Sequence, residues 1–185
     1  FFRGAFGQFF TPREVVKMIV NVLPINNNSK VLDTSCGSGG FLLYALDKVR
    51  KQADEYYEDG TAEHFRFWHD FAEKRLFGIE INEQISRTAK MNMIIHDDGH
   101  TNVITYDGLK PLKHIPDDTG NQHFKEDSFD FILTNPPFGS TIRSTELEEF
   151  DKFEYCDARV AVEAERGVGV EVVGVECGGF DAFDI

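Results

Sequence analysis

Cysteine, proline, tryptophan and positive charge are all scarce in this chain of 185 residues. The three cysteines, Cys36, Cys156 and Cys177, are odd in number, and none pair in a CxxC spacing. That argues against a disulfide framework or a zinc site and fits a reducing, cytoplasmic setting. No apolar run approaches the ~18 residues a membrane helix needs, and the opening residues show no basic-then-apolar leader pattern. Lysine and arginine number 19 against 32 aspartates and glutamates, a net charge of −13. A chain this acidic repels phosphate backbones, so a nucleic-acid substrate would have to be held by something else as well.

Core-forming material is plentiful. At 41% hydrophobic and 28% charged, the composition is that of one globular domain. The first residue is Phe1 rather than methionine, and an internal segment of a longer protein is expected. From residue 155 the text turns rich in Val, Glu and Gly, without turn-and-helix grammar. The expected division is a partial catalytic domain over 1–154 and an atypical tail over 155–185 that is not its native continuation.

Thr11-Pro12 opens a helix: threonine suits the cap, proline suits the first helical position, and Val15, Val16, Ile19, Val20 and Leu23 come next at helical spacing. "KVLDT" (30–34) is a short apolar strand ending in an acid, "SCGSGG" a tight loop, and "FLLYALDKVRKQADEYY" a helix. A second, polar helix is predicted over 62–74, a strand over 75–81, a helix from Asn82, a third strand over 102–107, a loop over 110–128 and a fourth strand over 129–135. Alternating strands and helices predict a mostly parallel sheet with helices on both faces. Ligands bind such sheets beyond the carboxyl ends of the strands. Asp33, Glu80, Asp107 and Asn135 all stand at such ends.

The loop "DTSCGSGGF" lets the backbone turn sharply and a ligand approach closely. It is not the dinucleotide fingerprint: counted from Gly37, the third glycine would fall at Leu42, and no P-loop lysine comes after it. An acid ahead of the loop, Asp33, suits a cationic ligand, and Glu80 is placed to accept from two ribose hydroxyls. S-adenosylmethionine combines a ribose, an adenine, an ammonium and a sulfonium without phosphate, and is the expected cofactor. An ordinary strand-to-helix turn is the plainer alternative.

"TNPPFG" (134–139) ends the fourth strand. Pro136 holds Asn135 in extended geometry, and Pro136 and Pro137 stiffen the turn beyond it. The Asn135 side-chain oxygen and the Pro136 carbonyl then form two acceptors for a planar amine, with Phe138 as a face for a base to stack on. Gripping both hydrogens of an exocyclic amine frees its lone pair to attack, so catalysis comes mainly from positioning and oriented dipoles. An adenine in duplex DNA must first be flipped out. A rigid post-strand turn is the plainer alternative.

"GQFFTP", "VLDTSCGSGGFLL", "FGIEINEQISRTAKMNMIIH" and "FDFILTNPPFG" together resemble, in order, the motifs of amino-group DNA adenine methyltransferases. The wording is most similar to the methyltransferase subunit of type I restriction–modification systems, over about residues 4–150. The resemblance implies a Rossmann-like methyltransferase fold, truncated after its fourth strand. It also implies N6-adenine methylation by S-adenosylmethionine, DNA recognition through a separate specificity subunit, and a restriction subunit as further partner; from the cysteine spacing and the short apolar runs, neither metal nor membrane is expected. Carried over by position, Thr11 contacts the methionine part of the cofactor. Asp33, Gly37, Gly39 and Gly40 shape the pocket, Glu80 binds ribose, Ile81 packs on the cofactor adenine and Asp107 faces its edge. Asn135, Pro136, Pro137 and Phe138 hold the target base. Thr34 replaces the family's usual proline. Phe9 and Phe10 either line the cofactor pocket or anchor the first helix.

Two rival functions remain at the level of sequence. A protein-glutamine methyltransferase also acts on a planar, weakly nucleophilic amide. A cofactor-binding or assembly fragment would be inactive alone. Cys36 is expected to be a packing residue, His96 and His100 a solvated helix end, and the aromatic stretch at 48–75 either a lid or a docking surface.

Overall fold

The computed structural model describes residues 10–96, 99–125 and 128–135, together with the backbone of residues 173–176. Four short strands, β1 (Val31–Asp33), β2 (Leu76–Glu80), β3 (Val103–Thr105) and β4 (Phe131–Thr134), form a parallel sheet. Every residue of β1 and β2 is buried, the pattern of parallel strands covered on both faces. A fifth strand, β5 (Val173–Glu176), pairs antiparallel with β4, Phe131 opposite Glu176 and Thr134 opposite Val173. The order across the sheet is β3-β2-β1-β4-β5. The sheet therefore has one strand more than the four that the sequence pattern assigned. An edge strand such as β4 offers a row of unpaired backbone groups, and a Val/Gly-rich segment is suited to pair with it.

Strand order decides where the helices lie. From β1 to β2 to β3 the chain steps in one direction, so right-handed crossovers place both connections on one face. That face carries α1 (Arg13–Val22), α2 (Gly40–Tyr56), α3 (Ala62–Arg75) and α4 (Glu83–Ile95). Their buried side chains form one core with Val31, Val103, Phe131 and Leu133. The return from β3 to β4 runs back across the sheet and covers the other face. There Leu32, Phe77, Ile79 and Ile104 pack with Ile115, Phe124 and Phe129. The segment expected as a loop over 110–128 contains a 3-10 turn at Leu112–His114 and the short helix α5 (Ile115–Thr119). Helices thus lie on both faces, in layers of unequal depth.

Local chemistry sets the helix ends. Pro12 holds the N-cap position of α1, and its carbonyl accepts from the N–H groups of Val15 and Val16. Thr11 is not the cap that the sequence predicts: Pro12 takes that position, and the Thr11 hydroxyl accepts from the Asn135 side chain. At the far end of α1, the Lys48 ammonium from α2 donates to the carbonyls of Val20, Asn21 and Leu23 and satisfies the orphan acceptors. The Asn82 side chain caps α4 by accepting from the N–H groups of Gln84 and Ile85.

Helix α3 lies within the helical layer. Trp68 and Phe71 are buried against the core, and Arg50 of α2 stacks over the Trp68 ring at 4.2 Å. The aromatic stretch is therefore divided: Trp68 and Phe71 face inward, while Tyr56, Tyr57 and Phe65 face solvent. The carboxyl end of α3 is tied to the segments that enter β1 and β3, by Arg75 donating to the Asn28 carbonyl at 2.7 Å and Asn102 donating to the Glu73 carbonyl at 2.8 Å.

Candidate active site

The chain reverses its direction across the sheet between β1 and β4, which opens a crevice beyond their carboxyl ends. The described pairing between these strands ends at Leu32 opposite Ile132. Past that point hydroxyls join the two strand ends. The Thr34 hydroxyl donates to Thr134 Oγ1 at 3.0 Å, and Ser35 Oγ lies 2.5 Å from the same atom. The Thr134 hydroxyl also opposes the rise of the Asp33 pKa, so one hydroxyl serves both the strand junction and the acid at the end of β1.

Asp33 ends β1 and is 1% exposed. Its Oδ1 accepts from the Ser35 N–H at 3.1 Å. Burial, with a smaller contribution from the nearby Glu80 carboxylate, pushes its pKa up to about 8 against the opposing effects of the Ser35 N–H and the Thr134 hydroxyl. An acid with that pKa carries a proton at neutral pH. Glu80 ends β2 and is also buried. Its Oε2 accepts from the Gly37 N–H at 3.0 Å and its Oε1 from the Asn82 N–H at 2.9 Å. One carboxylate thereby holds the glycine loop and the start of α4 in fixed relation, and each oxygen keeps a lone pair for a ligand hydroxyl.

Gly37 and Gly39 adopt φ of 53° and 89°, a left-handed backbone that favours glycine. Gly39 caps α2, leaving the first N–H groups of that helix free of intrahelical partners. Gly40 is the first residue of α2, and a Cβ there would meet open space. Ile81, next to Glu80, leaves 67% of its surface exposed, an apolar side chain placed where a ring could cover it. Asp107, just past β3, accepts from the Leu109 N–H at 3.0 Å and forms a tight turn.

Asn135 comes directly after β4. Its Nδ2 donates to Thr11 Oγ1 at 2.8 Å. Its Oδ1 is buried and has no hydrogen-bond partner among the described residues. An orphaned buried acceptor is costly unless something else fills it. Phe9, Pro136, Pro137 and Phe138 lie outside the described residues. Cys36 is buried, and burial beside Asp33 and Glu80 pushes its thiol well above the ordinary range. It packs as a neutral thiol, as the sequence predicts.

Four contributors carry no clear mark in the sequence. Ser35 and Thr134 form the hydroxyl junction between β1 and β4. Gly78 lies in β2, where a Cβ would stand 2.8 Å from Leu42 Cδ1 and 3.1 Å from Cys36 Sγ. Gly108 brings the turn after β3 against the glycine loop, since a Cβ there would stand 2.1 Å from the Thr34 carbonyl oxygen. The "DG" pair at 107–108 is a turn signal that could have pointed to Gly108. Away from the crevice, His69, Asp70 and Glu73 of α3 bring ligand atoms within 4.8 Å of one another, with Asp70 paired to Lys74 at 2.8 Å.

A mostly parallel sheet, a glycine turn between two buried strand-end acids and a terminal asparagine with an open acceptor come together at one edge of the fold. The N-6 DNA Methylase family model matches residues 3–166, and this chain belongs to that family. It is 30% identical over 135 residues to the type I restriction enzyme MjaIX methylase subunit of Methanocaldococcus jannaschii, covering 73% of this chain and 19% of that protein. To the StySPI methylase subunit of Salmonella potsdam it is 32% identical over 136 residues, covering 72% of this chain and 24% of that protein. Its fold matches the crystal structure of a modification subunit of a putative type I restriction enzyme from Vibrio vulnificus. That match has a TM-score of 0.58 and 31% identity, over 78% of this chain and 26% of the other. The chain thus spans about a quarter or less of the length of these relatives.

Proposed function

We propose that this chain supplies the cofactor pocket and the amine clamp of an adenine-specific DNA methyltransferase. It would serve as the modification subunit of a type I restriction–modification system, with S-adenosylmethionine as methyl donor. The observation that carries this is the buried, unpartnered Oδ1 of Asn135 at the crevice flanked by Asp33 and Glu80. It is an acceptor waiting for an N–H, beside acids suited to a ribose and a cation.

The residues fit the cofactor. Asp33 would meet its ammonium, and Gly37, Gly39 and Gly40 would let the backbone approach it closely. Glu80 would accept from ribose hydroxyls, Ile81 would cover the adenine, Asp107 would face the adenine edge, and Thr11 with Phe9 would close the methionine end. When bound, the cofactor supplies an electrophilic methyl carbon on a sulfonium. Asn135 Oδ1 would accept from one N6 hydrogen of a flipped adenine, and the Pro136 carbonyl from the other, while Phe138 stacks on the base. No strong base is required at Asn135: the carbon–nitrogen bond would form as the carbon–sulfur bond breaks and a neutral thioether leaves, and the N6 proton would pass to solvent afterwards.

The net charge of −13 supports sharing DNA contact with a specificity subunit, and a restriction subunit would complete the system. Among the described residues no helix is long and apolar enough to cross a membrane, and the proposed setting is the cytoplasm, with its DNA. The direct test is incubation of the complete subunit with labelled S-adenosylmethionine. One sample receives DNA and specificity subunit, the other a glutamine-bearing release-factor-like protein. Label recovered as N6-methyladenine supports the proposal; label in the protein, or in neither, refutes it.

A further inference from the structure

Asn135 comes directly after β4, and Thr11 lies just ahead of α1, 124 positions earlier in the chain. Their side chains meet at 2.8 Å, with the amide nitrogen as donor and the hydroxyl oxygen as acceptor. The other end of the amide, Oδ1, is buried and unpartnered among the described residues. A carboxamide has two ends of opposite character and similar shape. Turned over, Asn135 would present N–H groups to an incoming amine, so that donor meets donor. The clamp works in one orientation only.

A hydroxyl alone does not select that orientation, because it both donates and accepts. It selects once its own proton is committed elsewhere. Thr11 stands at the methionine end of the proposed pocket, where a carboxylate would take that proton. The Thr11 oxygen is then left with acceptor capacity only, and the sole end of Asn135 able to satisfy it is Nδ2. Oδ1 is thereby turned toward the target.

We infer that Thr11 is a positioning residue that locks the Asn135 carboxamide in its productive orientation, and that it does so through a hydroxyl shared between cofactor and amide. The inference deepens the proposed function and rests on it. It also assigns Thr11 a task beyond contact with the cofactor. Occupation of the cofactor pocket and readiness of the amine clamp become linked, since filling the first fixes the second.

The experiment uses the complete subunit assembled with its specificity subunit, with S-adenosylmethionine and DNA carrying the target adenine. Thr11→Val keeps the shape and removes the hydroxyl; Thr11→Ser keeps the hydroxyl. Thr11→Val is expected to lower kcat by about tenfold or more, while the Kd for S-adenosylmethionine, read by calorimetric titration without DNA, changes by less than about threefold. Thr11→Ser is expected to restore kcat; a Kd raised as much as kcat falls would overturn the inference. In an Asn135→Asp background both side-chain oxygens are acceptors, so orientation no longer matters. There Thr11→Val is expected to cost little beyond the Asp substitution itself. A raised cofactor KM at unchanged kcat would reduce Thr11 to a cofactor contact and overturn the inference. So would equal losses in Thr11→Val and Thr11→Ser, or a full additive loss in the Asn135→Asp background. A wild-type assembly that methylates no adenine would instead sink the functional proposal beneath it.

Discussion

Cofactor affinity should track the charge of Asp33. The carboxyl is 1% exposed, and burial with help from Glu80 raises its pKa to about 8. An acid with a raised pKa is protonated in the free site below that value, and a bound ammonium favours its ionised form. Binding therefore releases a proton, and affinity weakens as pH falls. For full coupling, a pKa of about 8 leaves roughly one site in ten ionised at pH 7 and one in a hundred at pH 6. S-adenosylmethionine should accordingly bind about tenfold more weakly at pH 7 than at the plateau, and about a hundredfold more weakly at pH 6. Above pH ~8 the α-amino group of the ligand loses its own charge, so the profile should be bell-shaped. Isothermal titration calorimetry from pH 6 to 9, in buffers of differing ionisation enthalpy, reads both the affinity and the proton released. Asp33→Asn should abolish the acid limb, leave the alkaline one and bind more weakly at the optimum. The same substitution should stabilise the unliganded protein at neutral pH, because between about pH 4 and 8 the unfolded chain releases the Asp33 proton while the folded protein retains it, which favours unfolding of the wild type as pH rises. A flat acid limb with no proton release would refute the assignment of Asp33 to a cation.

Thr134→Val removes the hydroxyl that opposes the raised Asp33 pKa and should move the acid limb to higher pH, with Thr134→Ser close to wild type, in the same titrations. Glu80→Gln turns an amide toward one of two backbone N–H groups and should weaken S-adenosylmethionine binding by about 10- to 100-fold, the range of a hydrogen bond to a charged group. Gly108→Ala sets a Cβ against the Thr34 carbonyl and should cost about 1–3 kcal/mol by urea unfolding. Phe77→Ala empties a site where the ring meets Phe124 at 5.1 Å and Phe129 at 5.0 Å, edge to face. It should cost about 3–5 kcal/mol, read as a lower urea midpoint at constant slope.

Elements that announce themselves locally were legible in the sequence. The runs that end in Asp33 and Glu80 are short, apolar and bounded by turns, and each became a buried parallel strand. The helical spacing of Val16, Ile19 and Val20 marked the buried face of α1. The polar helix predicted over 62–74 is α3, at Ala62–Arg75. Long-range contacts were not legible. The junction between Thr34, Ser35 and Thr134 spans about 100 positions, and no periodicity reports which hydroxyl will face which. Thr11 illustrates the same limit: its local grammar is that of a helix cap, yet a side chain 124 positions away claims its oxygen. Strand β5 went unassigned because repeated Val and Gly fit a strand only when an edge such as β4 is there to receive them.

The anchoring of α3 at the end of the sheet remote from the crevice has a practical side. Arg75 and Asn102 bind that helix to the entrances of β1 and β3, whereas Asp33, Glu80 and Asn135 stand at the strand exits. A fluorophore or affinity handle set at the turn between α2 and α3, with the Thr61 cap of α3 kept, should leave the Asp33, Glu80 and Asn135 end of the sheet undisturbed.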